Sequence, residues 1–225
     1  MALVQQRPPK KTMSVSTLRL YISRWSNRLR ARLLATREWK KRRYAPPSPA
    51  YVKAEVLLRN GTADAIWVET GTYLGDTTDL LSRHARQVYS IEPAPLLYRQ
   101  AAERFRAVPH VRILAGTSEE QLPKLLPTLS GDVNFWLDGH YSAGMTYQGK
   151  VDTPIVAELS CIEAQRQRYR NIVVLIDDVR CFDPSVKEFA HYPNLDFLVD
   201  WARRNGFKWH IEHDIFVARK LAESR

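Results

Sequence analysis

Two aspartates stand side by side in this chain, Asp177 and Asp178, at the end of the apolar run Ile172–Ile176. Each carboxylate raises the other's cost of ionising unless a cation sits with them. A third acid, Asp138, ends another apolar run, Val133–Leu137, in the stretch "NFWLDGHYSAG". Three carboxylates with no sulfur ligand suit a hard divalent ion: magnesium, manganese or calcium. The other reading is that Asp177 and Asp178 cap the following turn and pair with Arg180. His140 lies two residues past Asp138, on the same side of an extended chain. There it could serve as a base, a ligand or a hydrogen-bond partner.

Three more runs end in residues able to hold a ligand. "WVETGTYLGDTT" closes the run Ala65–Glu69 with Gly71 and Gly75 bracketing a tight turn, followed by a helix from about Thr77. Helix-start N–H groups and hydroxyls suit a carboxylate or phosphate. The pattern is not G-x-G-x-x-G, so the usual dinucleotide fingerprint is absent. Gln87–Ile91 ends in Glu92, about twenty residues past the glycine turn, a position suited to ribose hydroxyls. Val111–Ala115 ends in Gly116, Thr117 and Ser118, a polar turn and helix cap that could also meet an adenine edge.

These five runs read as strands, and helical patterns separate them. The helices fall at Thr77–His84, Pro95–Arg106, Glu119–Leu129 and Pro154–Arg168, with a shorter one before the first strand, Val52–Arg59. Strands alternating with helices imply parallel crossovers. After them come a helix, Leu195–Asn205, closed by Gly206, and two short strands, Lys208–Glu212 and Ile215–Ala218, around His213-Asp214. The expectation is an α/β, Rossmann-like, doubly wound and mostly parallel sheet with a C-terminal antiparallel hairpin. Ligands bind at the carboxyl ends of such strands, where the acids lie.

Glu69-Thr-Gly71-Thr-Tyr73-Leu-Gly75, Glu92, Gly116-Thr-Ser118, Asp138 and Asp177-Asp178 together resemble a class I S-adenosylmethionine-dependent methyltransferase. The closest type is the metal-dependent O-methyltransferases, both the catechol enzymes and the bacterial enzymes that methylate sugars. The resemblance spans about Ile66 to Val179. It implies that Glu69, Gly71, Thr72, Tyr73, Gly75 and Thr77 surround the methionine part of S-adenosylmethionine. Glu92 would hold the ribose and Ser118 would lie by the adenine, with Asp138 also at the cofactor. Asp138, Asp177 and Asp178 would ligate magnesium or manganese. The chain departs from the catechol type at Asp178, where those enzymes have Asn, and at Tyr141, where they have a catalytic lysine. The sugar enzymes have acid at Asp178 and a base two or three residues past the first metal aspartate, which makes His140 the candidate catalytic base. Tyr141, Tyr147 and Arg180 are candidates for holding a small-molecule or glycan acceptor.

Charge is unevenly distributed. Residues 1–45 hold thirteen of the 34 Lys/Arg but one of the 24 acids, Glu38, so the basicity belongs to this stretch and the rest is close to neutral. Residues 1–12 read as disordered. Leu18, Ile22, Trp25, Leu29, Leu33 and Leu34 then recur at helical spacing among arginines, up to about Arg43. "YAPPSPAY" breaks the pattern, because its three prolines cannot continue a helix. The expected organisation is a basic helix over 1–45 and a catalytic domain over 46–225. Such a helix fits an anionic membrane surface or a homo-oligomer contact. It could also grip nucleic acid, which keeps a nucleic-acid methyltransferase or RNA-binding protein as the alternative. The body lacks an evident basic groove, which argues against that class. No apolar stretch is long enough to span a bilayer and no secretory signal is read. Cys161 and Cys181 form no C-x-x-C and read as reduced thiols. The expected location is cytoplasmic, with peripheral attachment at the inner membrane face a further possibility.

Overall fold

The computed structural model describes residues 29–139 and 153–222. The chain divides after Ala45 into two compact units. In the first, residues 29–41 are helical (α1), which is the described part of the expected basic helix. The Trp39 indole N–H donates to the Ala45 carbonyl at 3.0 Å, and its ring meets Tyr44 edge-on.

The second unit begins with α2 (Ala50–Asn60) and then alternates strand and helix: β1 (Ile66–Thr70), α3 (Asp76–Ser82), β2 (Gln87–Glu92), α4 (Pro95–Arg104), β3 (Val111–Ala115), α5 (Ser118–Leu125), β4 (Gly131–Leu137), α6 (Ile155–Gln165) and β5 (Tyr169–Ile176). It ends with α7 (Leu195–Arg204), β6 (Lys208–Glu212) and β7 (Ile215–Lys220). The seven strands form one sheet in the order β3-β2-β1-β4-β5-β7-β6. The first five are parallel, and β7 runs antiparallel to both β5 and β6. This is the expected doubly wound sheet with its terminal hairpin. One feature was not legible: the last strand slots between β5 and β6, leaving β6 at the edge. His213 and Asp214 both have left-handed φ, which lets a two-residue turn join β6 to β7.

The central strands are buried on both faces, as parallel sheets require. Side chains alternate with period two. Val68, Phe135, Ile172 and Val174 pack toward α5, α6 and α7. Trp67, Trp136, Val173 and Leu175 pack on the other face with Val56 and Leu57 of α2 and Leu81 of α3. Sheet order reverses between β1 and β4, and register aligns the strand ends there. Thr70 lies opposite Leu137, and Leu137 opposite Ile176. The next residues, Gly71, Asp138 and Asp177, therefore leave the sheet at one height.

Candidate functional site

The turn after β1 is drawn onto β2. The N–H groups of Gly71 and Thr72 both donate to the Ile91 carbonyl. Gly71 has φ +88°, and a Cβ there would stand 2.6 Å from the Asp138 carbonyl oxygen, so only glycine fits between the two strand ends. Gly75, at φ +80°, opens α3 against the Phe105 ring. Between them Tyr73 is half exposed and its N–H donates to Glu92 Oε2 at 2.8 Å. Glu92 Oε1 accepts from the Ala94 N–H at 2.9 Å. Burial raises the Glu92 carboxyl above its ordinary range, and these two N–H donors oppose the rise. Ser118, buried, starts α5, while Thr117 and Glu120 cap that helix.

Glu69, the last acid of β1, is fully buried. Its Oε2 accepts from Ser90 and Thr78 at 2.5 Å each, and Thr72 bonds Ser90 in turn. Its Oε1 has no partner among the described residues. Burial pushes the carboxyl up to about 7, against the pull of the two hydroxyls. The folded state thus holds a proton that the unfolded chain releases above the ordinary glutamate range. Stability should fall as pH rises from that range to about 7 and level off above, by a few kcal/mol at most on an order-of-magnitude basis. Glu69→Gln should flatten this slope. Urea midpoints between pH 5 and 8 measure it, and equal slopes in both proteins would show that Glu69 does not titrate there.

The acids converge at the neighbouring strand ends. The Asp138 N–H donates to the Thr70 carbonyl and the Asp177 N–H to the Leu137 carbonyl, which extends the ladder by one residue. Asp178 then turns back in the left-handed region, φ +55°, which Asp tolerates better than most residues. This turn brings both carboxylates to one side. One oxygen each of Asp138, Asp177 and Asp178 lies within 4.8 Å of the others.

A cation is among them, and sequence reasoning did not find it. Lys53 Nζ, from α2, lies 2.5 Å from Asp177 Oδ2 and 3.2 Å from Asp178 Oδ1. Burial alone would lower the lysine's pKa, but Asp177 and Asp178 outweigh it and raise the value, so Lys53 is held protonated. The signal was in α2: Lys53 precedes Val56 and Leu57 by three and four residues, which places it on the core-facing stripe where a charge needs a partner. The pairing of Asp178 with Arg180 that the sequence offered as an alternative is also present, at 2.6 Å. Arg180 pairs with Asp214 of the hairpin turn as well, and its backbone N–H donates to the same carboxylate. Four carboxylates, those of Asp138, Asp177, Asp178 and Asp214, thus face two cations, Lys53 and Arg180. Burial raises the Asp177 carboxyl above its ordinary range, and the Lys53 ammonium opposes that rise. The fit to a hard divalent ion rests on the all-oxygen donor set of Asp138, Asp177 and Asp178.

Thr77 is half-buried in the first turn of α3. Its neighbour Thr78 is the residue that reaches Glu69. Glu158 of α6, unremarked in the sequence, is buried with Oε1 3.4 Å from where a Cβ on Gly139 would stand. His140, Tyr141 and Tyr147 lie outside the described residues. Cys161 and Cys181 are unbridged.

No protein-family model matches the chain, and no curated protein matches it. Solved structures share its fold. The N-methyltransferase NodS from Bradyrhizobium japonicum WM9 superposes with a TM-score of 0.52 at 14% identity, over 77% of this chain and 96% of its own. An O-methyltransferase from Bacillus cereus, in complex with S-adenosylhomocysteine (SAH), gives 0.51 at 12% identity, over 82% of this chain and 87% of its own. At these identities the likeness extends to the methyltransferase fold. The two neighbours are named for different acceptor atoms, so the choice of acceptor rests on this chain's own residues.

Proposed function

We propose that this chain is an S-adenosylmethionine-dependent methyltransferase acting on a hydroxyl of a small molecule or glycan, with magnesium or manganese held by Asp138, Asp177 and Asp178. The observation that carries the reading is the meeting of these carboxylates beside the Gly71 turn, at the ends of β4 and β5, with Glu92 at the end of β2 on the far side of β1. The close approach of Gly71 to Asp138 leaves only backbone at this turn, where the methionine part of the cofactor would lie in this reading. Glu92 keeps lone pairs for the ribose hydroxyls beyond the two N–H bonds it accepts. Ser118 stands at the next strand end for the adenine.

The sulfonium cofactor supplies an activated methyl group, and a divalent ion supplies Lewis-acid polarisation that lowers the pKa of an acceptor hydroxyl. The chain's own residues supply position and proton transfer. In this reading the acceptor hydroxyl gives its proton to His140. With the cofactor bound, the deprotonated oxygen would be the nucleophile for its methyl group, and this chain's part would be to hold the oxygen in line and remove the proton. Lys53 holds Asp177 Oδ2 and Asp178 Oδ1, and Arg180 holds the same Asp178 oxygen, so the two cations fix where these carboxylates stand.

Glu92→Ala should weaken S-adenosylmethionine binding by about 1.5–3 kcal/mol, roughly ten- to a hundredfold, because charge-assisted hydrogen bonds are lost. Glu92→Gln separates loss of charge from loss of shape. An unchanged affinity in folded variants of both kinds would remove Glu92 from the site.

A further inference from the structure

We infer that α1 is an interfacial helix that lies on an anionic lipid surface. The inference does not rest on the chemistry proposed above. Leu29, Leu33 and Leu34 are 44%, 62% and 61% exposed. At 3.6 residues per turn these leucines share one side of α1, roughly 140° wide, with Arg37, Lys40 and Lys41. Those three cations are exposed too. Trp39, on the opposite side, is buried and tied to Ala45 and Tyr44. One side of the helix is thus tied within its own unit, and the leucine side is exposed.

The presented side interleaves leucine with long basic side chains. Leucines at this exposure favour an apolar boundary, and Lys and Arg can reach from that depth to headgroup phosphates while their methylenes stay in the apolar layer. Over residues 29–43 seven Lys/Arg face one acid, Glu38, whose carboxylate is taken by Lys41. The complement of such a surface is negative charge over hydrocarbon. Nucleic acid would meet the cations but leave the leucines in water. No helix among the described residues is long and apolar enough to cross a membrane.

The test is sedimentation of the full-length protein with phosphatidylcholine vesicles, with or without about 30% phosphatidylserine, at low salt. The protein should pellet with the anionic vesicles and stay in solution with the neutral ones. Leu29→Gln/Leu33→Gln/Leu34→Gln leaves the net charge unchanged and should cut the bound fraction by about tenfold or more. Arg37→Gln/Lys40→Gln/Lys41→Gln should do the same, while circular dichroism shows both variants folded. The inference fails if wild-type protein ignores anionic vesicles, or if the leucine variant pellets as well as wild type. It fails in favour of nucleic acid if the protein binds poly(U) but not vesicles. It fails in favour of a second copy if size exclusion without lipid shows a dimer that the leucine variant abolishes.

Discussion

Lys53→Met should destabilise the protein by about 3–5 kcal/mol near neutral pH, measured in excess chelator. The mutation keeps the apolar stem and removes the ammonium. Asp177, whose side chain is 3% exposed, is then left without its nearest cation. Asp178 retains Arg180, so the cost falls mainly on Asp177. The loss should shrink as pH falls, because protonating Asp177 removes the stranded charge. Magnesium or manganese should return part of it, since a divalent ion bound by these carboxylates supplies charge that the lysine no longer does. Chemical denaturation of both proteins, with and without metal, reads all three effects. A variant as stable as wild type would mean that Asp177 is protonated in the fold. A loss that metal leaves untouched would count against ion binding by this cluster.

Methyl transfer should stop in chelator and return with magnesium or manganese. Asp177→Ala should lower turnover by about 10²–10³-fold or more, the several kcal/mol that Lewis-acid stabilisation provides. It should bind S-adenosylhomocysteine nearly as well as wild type, because the residues assigned to the cofactor lie at the ends of β1, β2, β3 and β4, and Asp177 follows β5. Lys53 keeps Asp178 as a partner in this variant, which limits the structural damage. The assay follows labelled methyl groups into glycan, polyketide and catechol acceptors. Full transfer in excess chelator would leave the carboxylates as an internal ion-pair network built on Lys53 and Arg180.

The central strands β1, β4 and β5 were legible because both of their faces are buried. Apolar runs such as Ile172–Ile176 have few other uses in a chain of this length, and the structure extends that run only at its start, from Tyr169. The meeting of Asp138 with Asp177 was legible for a related reason: parallel register carries adjacent strand ends to one height. What lay hidden depends on partners remote in sequence. Lys53 is 124 residues from Asp177, and no local pattern pairs them. Glu69 reads as the end of the first strand and, by the resemblance, as a cofactor residue; its full burial was hidden because the hydroxyls of Ser90 and Thr78 that receive it come from other elements. The placement of β7 between β5 and β6 was also unreadable, since a hairpin can join a sheet by either strand.

The measurement closest to the central claim is a calorimetric titration of S-adenosylhomocysteine into the full-length protein. The proposed site predicts saturable binding of one ligand per chain, weakened in Glu92→Ala. A folded wild-type protein that takes up no S-adenosylhomocysteine would contradict it.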